Sequence, residues 1–174
     1  MKLKATVGAL VLVGCGLGYS QFAAAQACSG FTATIPSSTP TPFTTTGANN
    51  CGNNLAFTKI CANSETLGGG GMDVYDVQIG AANNNVTFSV TSAAFTPELA
   101  VTVPGGACSS STACDIDQTI AGPGTVGPFG FSTNPVAAGD YFVFVTNVTD
   151  AACGAYSLTI AGTLPVKLEN FSVN

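Results

Sequence analysis

The stretch Asp73-Val74-Tyr75-Asp76-Val77-Gln78-Ile79 decides the fold class of this chain. Successive side chains of a β-strand point to opposite faces, so every second residue of the stretch shares a face. This alternation puts Tyr75, Val77 and Ile79 together on one apolar face and indicates a strand packed on a core. The same two-residue period recurs in residues 85–91 and 98–103, each bounded by Gly, Pro or Asn.

Strand patterns continue through the second half of the chain, at residues 116–120, 129–132, 141–147, 156–161 and 166–173. No apolar stripe with a helical period runs longer than about two turns. About eight short strands separated by turn residues are typical of an antiparallel β-sandwich or jelly roll. The sequence therefore predicts an all-β domain of this architecture.

The N-terminus has the pattern of a secretory signal peptide in residues 1–27. Lys2 and Lys4 precede an apolar run, and a small-residue stretch follows at residues 23–27. The apolar run is too short for a membrane-spanning helix. An alternative is a lipoprotein acylated at Cys15, because the residues before it resemble a lipobox. Both interpretations predict an exported protein, secreted, periplasmic or anchored at Cys15.

Composition and charge exclude several classes of function. Only 7% of residues are charged, and the chain has no His, so an imidazole base and a His-ligated zinc are absent. After cleavage, Lys59 and Lys167 would remain against nine acids, a formal charge of −7. Such acidity argues against nucleic acid or anionic lipid as a partner. No nucleophile with a matching base is evident, so we expect no enzymatic activity.

Six cysteines remain after removal of the signal peptide, and an even number in an exported chain predicts three disulfides. Six cysteines allow 15 connectivities. A short loop of small residues between Cys108 and Cys114 favours pairing these two. An easy turn at residues 52–54 then favours pairing Cys51 with Cys61, which leaves Cys28 with Cys153.

Three strand motifs, in order, resemble the bacterial pre-peptidase C-terminal (PPC) domain. They are a D-x-Y-x-V strand, a G-x-Y strand rich in Val and Phe, and a closing G-x-Y-x-L strand, at residues 72–77, 138–145 and 154–159. The middle of the chain is similar to a subset of the family with cysteines near a D-x-D sequence. The resemblance covers roughly residues 50–162 and implies a secreted β-sandwich that accompanies exported hydrolases. Because no catalytic domain precedes it here, we expect a standalone module.

The strand at residues 141–147 is apolar on both faces. Tyr141, Val143 and Val145 share one face, whereas Phe142 and Phe144 share the other. A strand of this kind is expected at the centre of a sheet, covered by a second sheet and by a loop or the N-terminal segment. We interpret its tyrosine, like the tyrosines of the other two motifs, as core rather than as a sugar-stacking platform.

Asp115 and Asp117 are the candidate metal ligands. Strand alternation would put both carboxylates on one face, about 6.6 Å apart at Cα. With nearby Asn, Ser and Thr oxygens they would form a calcium site, since Ca²⁺ prefers hard oxygen ligands. The alternative is a solvated strand edge. Residues 68–71 are four glycines without a following phosphate-binding Lys-Ser/Thr, so we interpret them as a flexible turn.

The expected organisation after the signal peptide is a Ser/Thr/Pro-rich lead-in or edge strand at residues 28–50, a PPC-like sandwich at 51–163 and a C-terminal strand at 164–174. The expected function is an exported, non-enzymatic binding or accessory module that displays loops to a protein or polysaccharide partner. The alternative is a structural surface or fibre subunit that associates through exposed strand edges. The out-of-phase pattern of the C-terminal strand favours a role in partner contact.

Overall fold

A computed structural model describes residue 28 and residues 30–52, 57–80, 85–133, 135–147, 151–162 and 164. These residues form twelve β-strands and no helix, so this part of the chain has no helical segment that could cross a membrane. The predicted signal peptide, Cys15 and the strand at residues 166–173 lie outside the described residues. The strands are β1 (Ala33–Ile35), β2 (Phe43–Thr44), β3 (Ala48–Asn49), β4 (Lys59–Ile60), β5 (Glu65–Thr66), β6 (Asp73–Ile79), β7 (Thr87–Ser92), β8 (Glu98–Thr102), β9 (Cys114–Thr119), β10 (Gly124–Gly130), β11 (Gly139–Thr146) and β12 (Ala155–Ala161).

The strands form two large sheets and one hairpin. Sheet 1 has the order β1-β6-β11-β8-β9, and sheet 2 has the order β10-β7-β12-β2, with β3 also paired to β12. All pairs are antiparallel except β1 with β6, which run parallel. β4 and β5 pair only with each other. The short strands β1, β2 and β3 come from the predicted lead-in segment, so both sheets include residues that precede residue 51.

The alternating sequence patterns correspond to the longest strands, β6 to β12. Their β-branched and aromatic residues suit a pleated sheet that is buried on at least one face. β10 begins at Gly124, five residues before the predicted start. Gly127 and Pro128 interrupt its alternation, and the register with β7 shifts between Val126 and Phe129. A bulge of this kind conceals the two-residue period on which the prediction depends.

One hydrophobic cluster joins the facing sides of the two sheets. Tyr75 and Val143 contribute from sheet 1, and Phe88 and Leu158 from sheet 2, each at most 3% exposed. The alternation predicted for β6 and β7 is therefore confirmed. The three motif tyrosines all belong to this cluster, which confirms that they are core residues: Tyr75, Tyr141 and Tyr156.

β11 lies in the middle of sheet 1 and is buried on both faces. Phe142 and Phe144 belong to a second cluster on the face that points away from sheet 2, which we call the outer face. Phe57 and Ile60, from the segment around β4, pack on the outer face, and Phe57 contacts Phe144 edge-on at 6.1 Å. The prediction that a second sheet and a loop cover this strand is confirmed.

Three disulfides are present, but all three predicted pairings are wrong. Cys28 bonds Cys108, Cys51 bonds Cys153 and Cys61 bonds Cys114, with Cα separations of 5.5, 5.0 and 4.8 Å. The loop between Cys108 and Cys114 closes through its own hydrogen bonds, including Thr112 Oγ1 to the carbonyl of Ala107 at 2.6 Å. Both cysteines that flank the loop are thereby directed to the outer face. Each bonds to a segment that covers the outer face, a partnership that short sequence spacing does not reveal.

Two of the four glycines, Gly70 and Gly71, pack closely against the chain, whereas Gly69 is exposed. The side-chain nitrogen of buried Asn50 donates to the Gly71 carbonyl at 2.9 Å, and its oxygen accepts from the Gly154 amide at 2.9 Å. A Cβ on Gly71 would lie 1.5 Å from the Asn50 carbonyl oxygen, so no other residue fits without a backbone shift. This contact braces the chain beside the Cys51–Cys153 disulfide.

Candidate functional site

The outer face of sheet 1 divides into two halves. In the covered half, Val74, Ala100 and Phe144 lie beneath the segment around β4. In the open half, cross-strand pairing sets Asp76 opposite Phe142 and Gln78 opposite Asp140. Thr34 of β1 pairs with Asp76 from the other side. Because paired residues share a face of a sheet, register alone brings these polar side chains together on the open half.

A groove of about 490 Å³ lies at the end of the open half. It is lined by Ser37, residues 78–80 and residues 138–140. The groove therefore lies where β6 ends and β11 begins, between two strands that hold each other through seven paired positions. Two of its polar side chains, Gln78 and Asp140, lie on paired strands, whereas Ser37 lies in the turn after β1.

Asp76 is the buried carboxylate of the open half. The residue is 9% exposed, and its Oδ1 has no hydrogen-bond partner in the described part of the chain. Burial raises the pKa of Asp76, the nearby Asp140 carboxylate raises it further, and hydrogen bonds from Thr34 and Gln78 act in the opposite direction. Within the described part of the chain the only Lys or Arg is Lys59, which is exposed in β4. The open half thus brings two acidic side chains together.

An aromatic pair borders these carboxylates. Phe31 stacks on Phe142 with the ring centroids 5.4 Å apart and an angle of 11° between the planes. Phe142 is 9% exposed, whereas Phe31 is 44% exposed and presents its ring to solvent. Phe142 and Asp140 are two residues apart on β11, so the exposed ring stacked on Phe142 and the Asp140 side chain lie on one face of the sheet.

Asp73, also on β6, has a different environment on the side that faces sheet 2. Its Oδ1 accepts from Thr32 Oγ1 at 2.9 Å, and its Oδ2 accepts from the Tyr156 hydroxyl. The Tyr156 and Tyr75 hydroxyls are 2.5 Å apart. Burial, followed by these hydrogen bonds, raises the pKa of Tyr156 far above its usual range. The network joins β12 of sheet 2 to β6 and to the segment before β1, which indicates a structural role.

The predicted metal ligands Asp115 and Asp117 have different partners. Opposite β8, Ile116 pairs with Val101 and Cys114 pairs with Thr102, so Asp115 is the extra residue of a bulge. Strand alternation does not apply there.

The carboxylate of Asp115 accepts from the Ser132 amide at 2.6 Å and from the Ser132 hydroxyl. Asp117 instead faces Glu98; burial raises the pKa of Asp117 and the hydrogen bond with Glu98 lowers it. Among the residues that the structure describes, no three Asp, Glu, Cys or His side chains group as metal ligands. The calcium site at Asp115 and Asp117 stays a prediction.

Sequence reasoning missed the residues of the open half. A signal was available, because Asp76, Gln78 and Asp140 interrupt outward-facing positions that are apolar at Val74, Phe142 and Phe144. Polar residues at such positions are the informative exceptions to a buried pattern. Phe31 gave no comparable signal, because its position over β11 depends on the parallel pairing of β1 with β6.

No family model, curated protein or solved structure matches the chain. The resemblance of its three strand motifs to PPC domains therefore stays a prediction. The open half itself combines an exposed aromatic ring, a polar groove and two carboxylates.

Proposed function

We propose that this chain is an exported, non-enzymatic binding or accessory module that holds a polysaccharide on the open half of its outer face. Its two sheets would form a PPC-like β-sandwich of the jelly-roll type. The observation that carries the proposal is the exposed ring of Phe31, stacked on Phe142 beside Gln78 and Asp140. Sugars present both apolar C–H faces and hydroxyl groups, and this combination of side chains is complementary to both.

The composition supports export and binding rather than catalysis. Three disulfides fit an oxidising compartment. The chain has no His to act as a general base. Among the described residues, the two carboxylates of the open half most resemble the catalytic pair of a glycosidase. In such a pair, one of the two acids has a raised pKa. Asp76, however, is only 9% exposed and does not line the groove, so it is poorly placed to protonate a glycosidic oxygen.

Affinity electrophoresis through gels that contain neutral or acidic polysaccharides tests the proposal. The oxidised protein should be retarded by at least one neutral polysaccharide. Phe31→Ala should weaken this binding about tenfold, by analogy with the stacking of a nucleic-acid base on one aromatic ring, which contributes roughly 1–3 kcal/mol. Phe129→Ala is the matched control, because Phe129 is a similarly exposed ring, 36% accessible, on edge strand β10 of sheet 2.

Three results would overturn the proposal. The first is no retardation by any polysaccharide. The second is equal loss of binding in Phe31→Ala and Phe129→Ala, which would indicate unspecific adsorption. The third is release of reducing ends from a bound polysaccharide, which would make the protein an enzyme and Asp76 its candidate acid.

A structural surface or fibre subunit is the second candidate function. Edge strand β10 favours it, because Phe129 is exposed there and the strand pairs with β7 on one side only within the described sheets. The predicted C-terminal contact strand lies outside the described residues. Negative-stain electron microscopy of the concentrated, oxidised protein would show regular polymers if this alternative holds and single particles if the binding module is correct.

A further inference from the structure

We propose that the open half also binds a divalent cation of the calcium type, held by the carboxylates of Asp76 and Asp140 and by the side-chain carbonyl oxygen of Gln78. This inference goes beyond the polysaccharide proposal and does not depend on it. It starts from an observation on Asp76: a carboxylate oxygen that is buried and has no hydrogen-bond partner.

Among the described residues, no group satisfies that oxygen. Thr34 and Gln78 already donate hydrogen bonds to the carboxylate, and Oδ1 still has no partner. An ionised carboxylate oxygen buried without a partner is costly, because it has lost its hydration. The neighbouring charge is a second carboxylate, Asp140, which increases the cost. A bound cation removes both penalties at once.

The sheet sets the ligands in position before any cation arrives. Asp140 pairs directly with Gln78, and Asp76 lies two residues earlier on β6, so the three side chains emerge from one patch of the outer face. Their backbone is fixed by the pairing of β6 with both β1 and β11. A preorganised group of oxygens reduces the ordering cost that binding would otherwise carry.

The chemistry of the three proposed ligand atoms determines which metal ions the site favours. All three ligands are oxygens, which suit hard cations and not zinc or copper. Calcium accepts six to eight oxygens in flexible geometry and fills remaining positions with water, whereas magnesium demands a near-ideal octahedron. Two carboxylates are a small ligand charge, so the expected dissociation constant is about 10⁻⁴ to 10⁻³ M, the range of extracellular calcium modules.

Calcium chloride alone, without polysaccharide, tests the site in the oxidised full-length protein. Isothermal titration should give one site, and 10 mM Ca²⁺ should raise Tm by about 3–6 °C relative to protein in EDTA. Asp140→Asn is the decisive variant, because Asp140 is exposed and its replacement leaves the core intact. It should weaken calcium binding at least tenfold, as should Asp76→Asn.

Asp115→Asn and Asp117→Asn are the controls that separate this site from the calcium site predicted from the sequence at those two residues. If calcium binds at the open half, both variants bind it like the parent. Loss of binding in these controls with retention in Asp140→Asn would move the site to β9 and overturn the inference. Absence of any calcium heat or Tm shift in the parent protein would also overturn it. Neither result bears on Phe31 and polysaccharide, so failure of one proposal is distinguishable from failure of the other.

Discussion

Strand β6 buries an aspartate on each of its faces, and the two carboxylates differ in what surrounds them. Asp73, toward sheet 2, accepts hydrogen bonds from Thr32 and Tyr156. Asp76, on the outer face, has an oxygen without a hydrogen-bond partner and a second carboxylate beside it. Where two sheets meet, the chain provides donors and the acid is structural. Where one sheet face lies open, the acid is available to a ligand.

The largest loss of unfolding free energy is expected when the disulfide of the covered half is removed. Replacing Cys61 and Cys114 by Ala frees a loop with a sequence separation of 53 residues, and chain entropy predicts a loss of about 4 kcal/mol. Urea unfolding monitored by circular dichroism measures this loss. Neither Cys61 nor Cys114 pairs with the strand positions of the proposed ligands, so calcium binding should persist in the folded double variant. Loss of calcium binding in that folded variant would break the distinction between the two halves.

The next largest loss of unfolding free energy is expected when Asp73 is replaced. Asp73→Ala removes the acceptor for Thr32 and for Tyr156, whose hydroxyl is buried, and this should cost about 3 kcal/mol of unfolding free energy. Asp76→Ala removes no comparable acceptor from the core and should cost much less under the same urea titration. Equal losses in the two variants would contradict the structural difference between the two aspartates.

A smaller change in stability is expected when pH is varied through the titration of Asp76. Its pKa is raised above the ordinary value of 3.8, so the folded state binds this proton more tightly than the unfolded state does. Stability should therefore be highest below the unfolded pKa and should fall as pH rises from there through the folded pKa. Thermal unfolding in EDTA between pH 3 and pH 7 should show this fall in the parent and a weaker one in Asp76→Asn. Identical pH profiles would show that Asp76 is not the group responsible.

The sequence predicts the long strands well, because their burial on a sheet imposes a two-residue period. For the same reason, the sequence predicts that both faces of β11 are apolar and that β11 lies in the middle of its sheet. The disulfide pairing was not readable, because Cys28 and Cys61 meet their partners across the outer face after chain separations of 80 and 53 residues. Which cysteines meet is determined by how the folded segments pack, and the spacing of cysteines in the sequence does not contain that information.

The candidate site was only partly readable for a related reason. Asp115 and Asp117 have the spacing of paired ligands, but a bulge in β9 separates their partners. Asp76 and Asp140 are 64 residues apart in sequence and become neighbours through the antiparallel pairing of β6 with β11. A pattern confined to one strand cannot report a site that is shared between two strands.

The most direct test of the central claim, that the open half is a ligand site, is nuclear magnetic resonance of the ¹⁵N-labelled, oxidised protein titrated with calcium chloride. The backbone amides of Gln78, Gly80, Gly139 and Asp140 should show the largest chemical-shift changes, with a common saturation curve. Shifts confined to β9 around Asp115 and Asp117, or no shifts at millimolar calcium, would contradict the account.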